Sequence, residues 1–225
     1  MNSPENMLMG ELLAAHNNIL HPEHNYYLDL ITRELSFSGE LLSRYPSTIS
    51  AFGSARTAFD AEHYAQAEAL GAVVAKHGYT ALTGGGPGIM EAFSKGAYTN
   101  NGTTIGFSIK LPNEQASNDY LTHNITFNYF FTRKYALIAH SHLLLYFPGG
   151  YGTLDEMFEA FTLIQTRKFD HKEVVLVNRA FWEPLVTFIN DRLKGQDAYI
   201  SPFDDEFFRI IDTPEELEAI LELYR

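Results

Sequence analysis

The fold of this chain is decided by the stretch Phe147-Pro148-Gly149-Gly150-Tyr151-Gly152-Thr153-Leu154-Asp155-Glu156. The residues just before it, 142–147, are nearly all apolar, which is typical of a parallel strand buried on both faces. A glycine turn follows, and Thr153 is the predicted cap of a helix whose first turn carries Asp155 and Glu156. Free backbone N–H groups and the positive end of a helix dipole would make this turn an anion site. We therefore expect a phosphate there, with Glu156 acting on the same molecule.

The same strand–turn–helix pattern occurs earlier in the chain. A short strand at 49–53 ends in Gly53-Ser54-Ala55-Arg56, and Thr80–Thr83 is followed by Gly84-Gly85-Gly86-Pro87-Gly88 and a helix. This alternation predicts an α/β fold with a Rossmann-like, doubly wound, mainly parallel sheet flanked by helices. Right-handed crossovers place the carboxyl ends of the strands on one edge, so the glycine turns are expected to meet there.

The remaining pattern predicts one domain over residues 1–225, made of a helical N-terminal extension (1–45) and a Rossmann-like core (46–225). The spacing in the extension is helical but broken around Phe37-Ser38-Gly39. A helix is expected from Phe130 to about Ser141, with Thr132 as a possible cap. The other predicted elements are helices at 59–77, 89–100, 181–194 and from Pro214, a loop at 109–122, an extended piece at 125–128, and strands at 173–177 and 207–211.

Composition excludes several classes of function. The chain has 225 residues, no cysteine and a formal net charge of -12. Disulfide and thiolate chemistry are therefore ruled out, and an acidic chain is a poor partner for a nucleic-acid polymer or an anionic membrane. No apolar run is long enough to span a bilayer, and the first 18 residues lack the pattern of a signal peptide. A cytoplasmic protein is the expectation.

The second glycine turn has more glycine than a simple turn needs, with four glycines in the five residues 84–88. Close approach of a ligand is the favoured interpretation. It is not a P-loop, because no Lys-Ser or Lys-Thr follows, and GSAR after the first strand is not a dinucleotide fingerprint. Glu91, one turn further on, is either a site residue or a solvated acid at a helix start.

Two cations, Arg133 and Lys134, lie near the start of a predicted helix, where the dipole disfavours positive charge. This placement indicates an anionic ligand or a carboxylate partner nearby. Ser54 and Arg56 are candidates to line the mouth of the first strand. The pair His140 and His142 is interpreted as part of a buried strand rather than as a metal site.

These residues resemble the signatures of the Lonely Guy (LOG) family. Residues 84–92 and 148–156 are similar to its paired glycine motifs, and 148–156 matches PGGxGTxxE in full. Phe131-Thr132-Arg133-Lys134 resembles its arginine–lysine element, and Gly53-Ser54-Ala55-Arg56 its first turn. The resemblance covers about residues 48–195, so the extension lies outside it.

The resemblance implies a Rossmann-like enzyme, a homodimer or a higher homo-oligomer, that hydrolyses the N-glycosidic bond of a nucleoside 5′-monophosphate to a free base and ribose 5-phosphate. Such an enzyme needs neither a metal nor another cofactor. The implied catalytic pair is Arg133 and Glu156. The implied phosphate-binding and substrate-binding residues are Gly53, Ser54, Gly85, Gly86, Gly88, Glu91, Lys134, Gly149, Gly150, Gly152 and Thr153. Relatives have been labelled lysine decarboxylases, but the sequence has no convincing motif for a pyridoxal-phosphate lysine.

The chemistry of glycoside cleavage agrees with this implication, because a carboxylate such as Glu156 stabilises the positive charge that develops on the ribose and can activate water. Arg133 has three open roles: holding the phosphate, steering Glu156, or relieving charge on the base. The alternative function is a non-catalytic carrier of a nucleotide or a molybdopterin-type cofactor. A DNA-processing role ranks third. Tyr129, Phe130, Phe131 and Tyr151 are candidates either to stack on the base or to pack.

Overall fold

The computed structural model describes residues 22–111, 116–169, 172–194, 199–201 and 208–224. The helices are α1 Pro22–Ser43, α2 Glu62–Lys76, α3 Ile89–Thr99, α4 Phe130–Ala139, α5 Tyr151–Gln165, α6 Arg179–Phe188 and α7 Pro214–Glu222. The strands are β1 Thr48–Phe52, β2 Thr80–Thr83, β3 Thr104–Ile109, β4 His123–Phe127, β5 Leu143–Tyr146, β6 Glu173–Val177 and β7 Phe208–Ile211. Residues 1–21 of the predicted extension and residue 207 of the predicted last strand lie outside the described residues.

The strands form one seven-stranded sheet in the order β4-β3-β2-β1-β5-β6-β7, and every pairing is parallel. This confirms the Rossmann-like α/β prediction. The chain builds one half of the sheet outward from β1 to β4 and then returns to place β5 on the other side of β1, where Ile49 pairs with Leu143. The order of the strands reverses at this pair. In open α/β sheets such a reversal leaves a crevice at the carboxyl ends of the strands.

Apolar side chains cover both faces of the sheet. The central strands β1, β2, β5 and β6 are buried along their whole length, as strands of a parallel sheet covered by helices on both faces are. One core packs under α2, α3 and α7, and the other under α1, α4, α5 and α6. Successive residues of one strand pack into the two different cores, as Leu144 and Leu145 do. Each fully buried side chain of this size contributes about 1.5–3 kcal/mol, so the two cores hold the carboxyl edge of the sheet in place.

Two predicted helix caps are wrong. α5 begins at Tyr151 with Gly150 as its N-cap, so Thr153 lies inside the first turn and caps nothing. α4 begins at Phe130, as predicted, but its N-cap is Tyr129, so Thr132 lies within the first turn. In both cases the chain enters the helix directly from a tight turn after a strand, earlier than the candidate hydroxyl.

Other differences concern whole elements. α1 is continuous through Gly39 rather than broken there, because packing on the second core outweighs the low helix propensity of glycine. α2 begins at Glu62, and residues 53–61 form an irregular turn. The predicted helix at 181–194 is instead α6 followed by a π-helical segment, Ile189–Leu193. His140 lies at the carboxyl end of α4 and not in a strand.

Among the described residues, no helix combines the length and the apolar character that crossing a bilayer requires.

Candidate functional site

A cleft of about 700 Å³ opens at the carboxyl ends of β1 and β5, where the strand order reverses. A backbone hydrogen bond from Ser54 N to Pro148 O, 3.1 Å long, joins the two turns that form its floor. Eight of the predicted site residues line this cleft: Gly53, Ser54, Arg133, Lys134, Gly150, Gly152, Thr153 and Glu156. The other five, Gly85, Gly86, Gly88, Glu91 and Gly149, lie outside its lining.

The amino end of α5 forms one wall of the cleft. Leu154 N is bonded to Gly150 O at 3.1 Å, and the N–H groups before it precede the hydrogen-bond ladder of the helix. The N-cap Gly150 provides no side-chain hydrogen bond. A Cβ added at Gly150 or at Gly152 would meet nothing within 4 Å, so open space adjoins both glycines. This end of α5 can therefore accept an anion on its backbone N–H groups.

Gly149 has a different role from the two glycines that line the cleft. A Cβ at this position would lie 2.1 Å from Oγ1 of Thr153, whose side chain is buried. Gly149 thus allows Thr153 to pack beneath the turn. The sequence did not distinguish this packing role from ligand contact.

Glu156 places a carboxyl group in the cleft one helical turn beyond the anion site. Its side chain is only 14% exposed, and Arg133 Nη1 lies 3.9 Å from its Oε1. Burial raises the pKa of Glu156 to about 7, although Arg133 acts to lower that pKa. The carboxyl group is therefore partly protonated and partly ionised near neutral pH, which is the condition that suits a general base.

Arg133 is held rigidly under the cleft. It is 8% exposed, and its Nε donates to Phe107 O at 2.6 Å. Burial lowers the pKa of Arg133, Glu156 acts in the opposite direction, and guanidinium groups stay protonated in proteins. A Cβ at Gly84 would lie 1.9 Å from Arg133 Nη2. Gly84 is thus a site residue that the prediction missed, although its place at the head of the glycine motif signalled a close approach.

Lys134 lies at the edge of the cleft, but its ammonium group is already engaged. Nζ lies 2.9 Å from Oδ2 of Asp155 and 2.6 Å from Oε2 of Glu159. Burial acts to lower the pKa of Lys134, but hydrogen bonds with Glu159 and then Asp155 raise it overall. Lys134 therefore ties α4 to α5 on either side of Glu156.

Beyond Gly84, which lines the cleft, the second glycine turn packs against protein. A Cβ at Gly88, where φ is +68°, would lie 2.4 Å from Ser54 O. Similarly, a Cβ at Gly53 would lie 2.6 Å from the side chain of Ile89. These two glycines let the turn after β1 and the amino end of α3 touch. They set the position of the cleft floor.

Gly85 and Gly86 face the loop before β4. Asn118 donates from its backbone N to Gly85 O at 2.9 Å and from its side-chain Nδ2 to Gly86 O at 3.0 Å. Glu91 points toward α2, where it accepts a hydrogen bond from the Tyr64 hydroxyl at 3.0 Å. Burial, and then this bond, raise the pKa of Tyr64 far above its usual value. None of the three lines the cleft.

The four aromatic candidates separate into two groups. Phe130 and Tyr151 line the cleft and are exposed, Tyr151 to 94%. Tyr129 instead packs against Phe131 and against Tyr27 of α1, with ring centroids 5.7 and 6.3 Å apart. Phe130 and Tyr151 are therefore the better placed to meet a flat ligand group. Arg56 and Met90 also line the cleft, and Arg56 adds a second guanidinium group.

Within the described ranges, no group of three or more His, Asp or Glu side chains is arranged to hold a metal ion. The cleft combines an anion-binding helix end, a buried guanidinium group and a carboxyl group with a raised pKa. This set can bind a phosphate at one end of a small molecule and transfer a proton at the other.

Comparison with known proteins identifies the family of this chain and structures of similar fold. The family model described as "Possible lysine decarboxylase" matches residues 90–221. The chain is 30% identical over 146 residues to cytokinin riboside 5'-monophosphate phosphoribohydrolase of Mycobacterium tuberculosis, covering 64% of this chain and 76% of the relative. It is 28% identical over 144 residues to the phosphoribohydrolase LOG5 of Arabidopsis thaliana, covering 63% of this chain and only 62% of that protein's length.

Among solved structures, the molybdenum cofactor carrier protein MCP from Chlamydomonas reinhardtii has a TM-score of 0.59 and 25% sequence identity, covering 79% of this chain and 96% of that one.

Proposed function

Given that this chain belongs to the family described as possible lysine decarboxylases, whose named relatives include the LOG phosphoribohydrolases, we propose that it hydrolyses the N-glycosidic bond of a nucleoside 5′-monophosphate. The products are a free base and ribose 5-phosphate. The observation that carries the proposal is Glu156, a buried carboxyl group with a pKa of about 7, one turn beyond an anion-binding helix end.

The spacing along α5 supports this substrate. Gly152 and Glu156 are four residues apart, which is about 6 Å along a helix axis. This is of the order of the span from a 5′-phosphate to C1′ of its ribose. A phosphate on the N–H groups at Gly150 and Gly152 would therefore bring the glycosidic carbon close to Glu156. The phosphate supplies binding energy that positions the reacting end.

In the proposed reaction the bond between C1′ and the base nitrogen breaks, and both electrons leave with the base. The ribose becomes oxocarbenium-like, and the Glu156 carboxylate stabilises its positive charge. Water attacks C1′ and gives its proton to Glu156, while the departing base takes a proton from solvent. Arg133, 3.9 Å from Glu156, favours the ionised carboxylate that this step needs.

A panel of nucleoside 5′-monophosphates, with released base measured by chromatography, tests the proposal. We expect base to be released from AMP or a related monophosphate and ribose 5-phosphate to appear in equal amount. The unphosphorylated nucleosides are the matched control and should be cleaved much more slowly, because they lack the group that α5 binds. Release from no monophosphate would contradict the proposal.

The second candidate is a non-catalytic carrier of a nucleotide or a molybdopterin-type cofactor, and it is favoured by the likeness to the carrier protein from Chlamydomonas reinhardtii. Tight binding of a monophosphate without release of any base would support it. A carrier gives no role to Glu156, a buried carboxyl group whose desolvation costs free energy. The catalytic proposal accounts for this residue.

A decarboxylase that forms a Schiff base on lysine fits the cleft poorly. The lysine in the cleft lining, Lys134, has its ammonium group paired with Asp155 and Glu159. Such pairing favours the charged form, whereas a Schiff-base lysine must be neutral to attack.

A further inference from the structure

Helix α1 contacts α4, the helix that carries Arg133, through the buried carboxylate of Glu34, which is 6% exposed. Its Oε1 accepts hydrogen bonds from the backbone N of Asn128, at 2.5 Å, and from Asn128 Nδ2, at 2.9 Å. Its Oε2 accepts a hydrogen bond from the Thr132 hydroxyl at 2.5 Å. The carboxylate therefore holds residues on both sides of the start of α4.

α4 lacks the groups that usually stabilise the amino end of a helix. Its N-cap, Tyr129, makes no side-chain capping bond, and its first turn has no acidic residue. Two cations, Arg133 and Lys134, follow in the next positions, where the helix dipole disfavours them. Glu34 supplies the missing negative charge from a different helix.

The residues that bind Glu34, Asn128 and Thr132, also lie next to the residues that hold Arg133 in place. Thr132 is the residue before Arg133. Asn128 follows Phe127, whose ring packs on Phe107 with centroids 5.1 Å apart, and Phe107 O accepts the hydrogen bond from Arg133 Nε. The Glu34 carboxylate thus fixes the backbone on which Arg133 lies. It also holds Asn128, which follows the strand that packs on β3, where Phe107 O binds the Arg133 side chain.

We propose that Glu34 is a positioning residue for Arg133, so that helix α1 helps to shape the catalytic site. The inference rests on the proposed function, because it takes Arg133 as a member of the reacting site. Helix α1 precedes residues 48–195, the range over which the chain resembles the LOG family. A misplacement of about 1 Å can cost on the order of a hundredfold in rate.

The test compares three substitutions in kinetic assays with AMP. Glu34→Ala should lower kcat roughly 10- to 100-fold while KM changes less than about threefold, because the phosphate site on α5 is untouched. Glu34→Gln should restore most of kcat: its amide oxygen can accept both Asn128 bonds, and its amide nitrogen can donate to Thr132 Oγ1. The Thr132 proton can then turn to Tyr129 O, 3.0 Å away.

Leu42→Ala is the matched control for simple destabilisation. Leu42 is a buried residue of the same helix that packs in the second core. This substitution should lower the melting temperature without lowering kcat. If Glu34→Ala behaves in the same way, with a lower melting temperature and an unchanged kcat, the positioning role is wrong. Thr132→Val removes the hydrogen bond from Thr132 to Glu34, and it replaces Glu34→Ala in the test if the Glu34→Ala protein does not fold.

A second readout separates this inference from the proposed function. The Nε–H signal of Arg133 in a ¹⁵N correlation spectrum reports the buried bond to Phe107 O, whether or not the protein is an enzyme. Glu34→Ala should accelerate exchange of this proton at least tenfold, and Glu34→Gln should not. If the wild-type protein releases no base, the proposed function fails and this signal alone decides about Glu34. An unchanged signal in Glu34→Ala would overturn the positioning role.

Discussion

At the residue scale, Glu156 shows how burial and pairing compete. Arg133 is close enough to attract its carboxylate, but a separation of 3.9 Å is too long for a hydrogen bond. The desolvation of the carboxylate therefore exceeds the attraction, and the pKa of Glu156 rises to about 7. The desolvation of Glu156 thus occurs at the position where the proposed chemistry needs a base.

The raised pKa predicts that Glu156→Gln stabilises the fold at alkaline pH. A carboxyl group whose pKa rises from 4.5 to about 7 on folding binds more protons in the folded state. It contributes its full stability below pH 4.5 and loses it as the pH rises through 7, a total of about 3 kcal/mol. Glutamine does not titrate, so the variant should exceed wild type in unfolding free energy by up to that amount at pH 8.

Urea unfolding at pH 8 and at pH 4 measures this difference. The two proteins should converge at the acid end, where the wild-type carboxyl is protonated in both states. Equal stability at both pH values would show that Glu156 has an ordinary pKa.

At the scale of elements, α4 and α5 carry the reacting groups and are joined by Lys134. Its ammonium group binds Asp155 and Glu159, the acids one residue before and three residues after Glu156. Lys134 lowers the pKa of Glu156, whereas Asp155 and Glu159 raise it. The network therefore sets the charge around Glu156. This role differs from the substrate contact predicted for Lys134 from the sequence.

Two substitutions separate these roles through the pH dependence of base release. In wild type, kcat/KM should fall about tenfold per pH unit below a midpoint near 7, because protonated Glu156 is inactive. Lys134→Gln should move this midpoint to higher pH, and Asp155→Asn should move it to lower pH. A KM for AMP that rises strongly in Lys134→Gln, with the midpoint unmoved, would instead favour direct contact with the phosphate.

The alternation of strands, glycine turns and helices predicted the sheet, because each crossover must return to the same edge. It also brought Arg133 and Glu156 together, since both lie near the amino ends of helices that follow strands. It did not predict contacts made by distant side chains. Glu34 and Thr132 are 98 residues apart in the chain, and no local pattern pairs them. Nor did the pattern distinguish glycines that pack against protein from glycines that adjoin open space. The same residue type stands at Gly88, which packs, and at Gly150, which adjoins the open cleft.

At the scale of the whole molecule, the cleft has a local charge opposite to that of the chain. The net charge is -12, yet the cleft contains Arg56, Arg133 and the amino end of α5. Exposed charges farther away than about 10 Å are largely screened at physiological salt. A small phosphorylated ligand therefore experiences the local groups, while a long polyanion meets the repulsive surface.

Exposed aromatic side chains on α4 and at the start of α5 predict a homodimer. Phe130, Phe131, Tyr135 and Tyr151 are 56%, 53%, 45% and 94% exposed, which is costly for an isolated chain. Sedimentation equilibrium should give twice the chain mass of 25.4 kDa. Phe131→Glu should shift the mass toward the monomer. Tyr98→Glu, at a comparably exposed aromatic on α3, should not. A wild-type monomer at all concentrations would contradict this prediction.

The most direct test of the account compares wild type and Glu156→Gln with AMP in two measurements, the rate of base release and the dissociation constant. We predict that kcat falls at least about a hundredfold, while the dissociation constant stays within about threefold, since the phosphate binds the amino end of α5. Equal turnover by the two proteins would contradict the role of Glu156, and with it the account of how this cleft works.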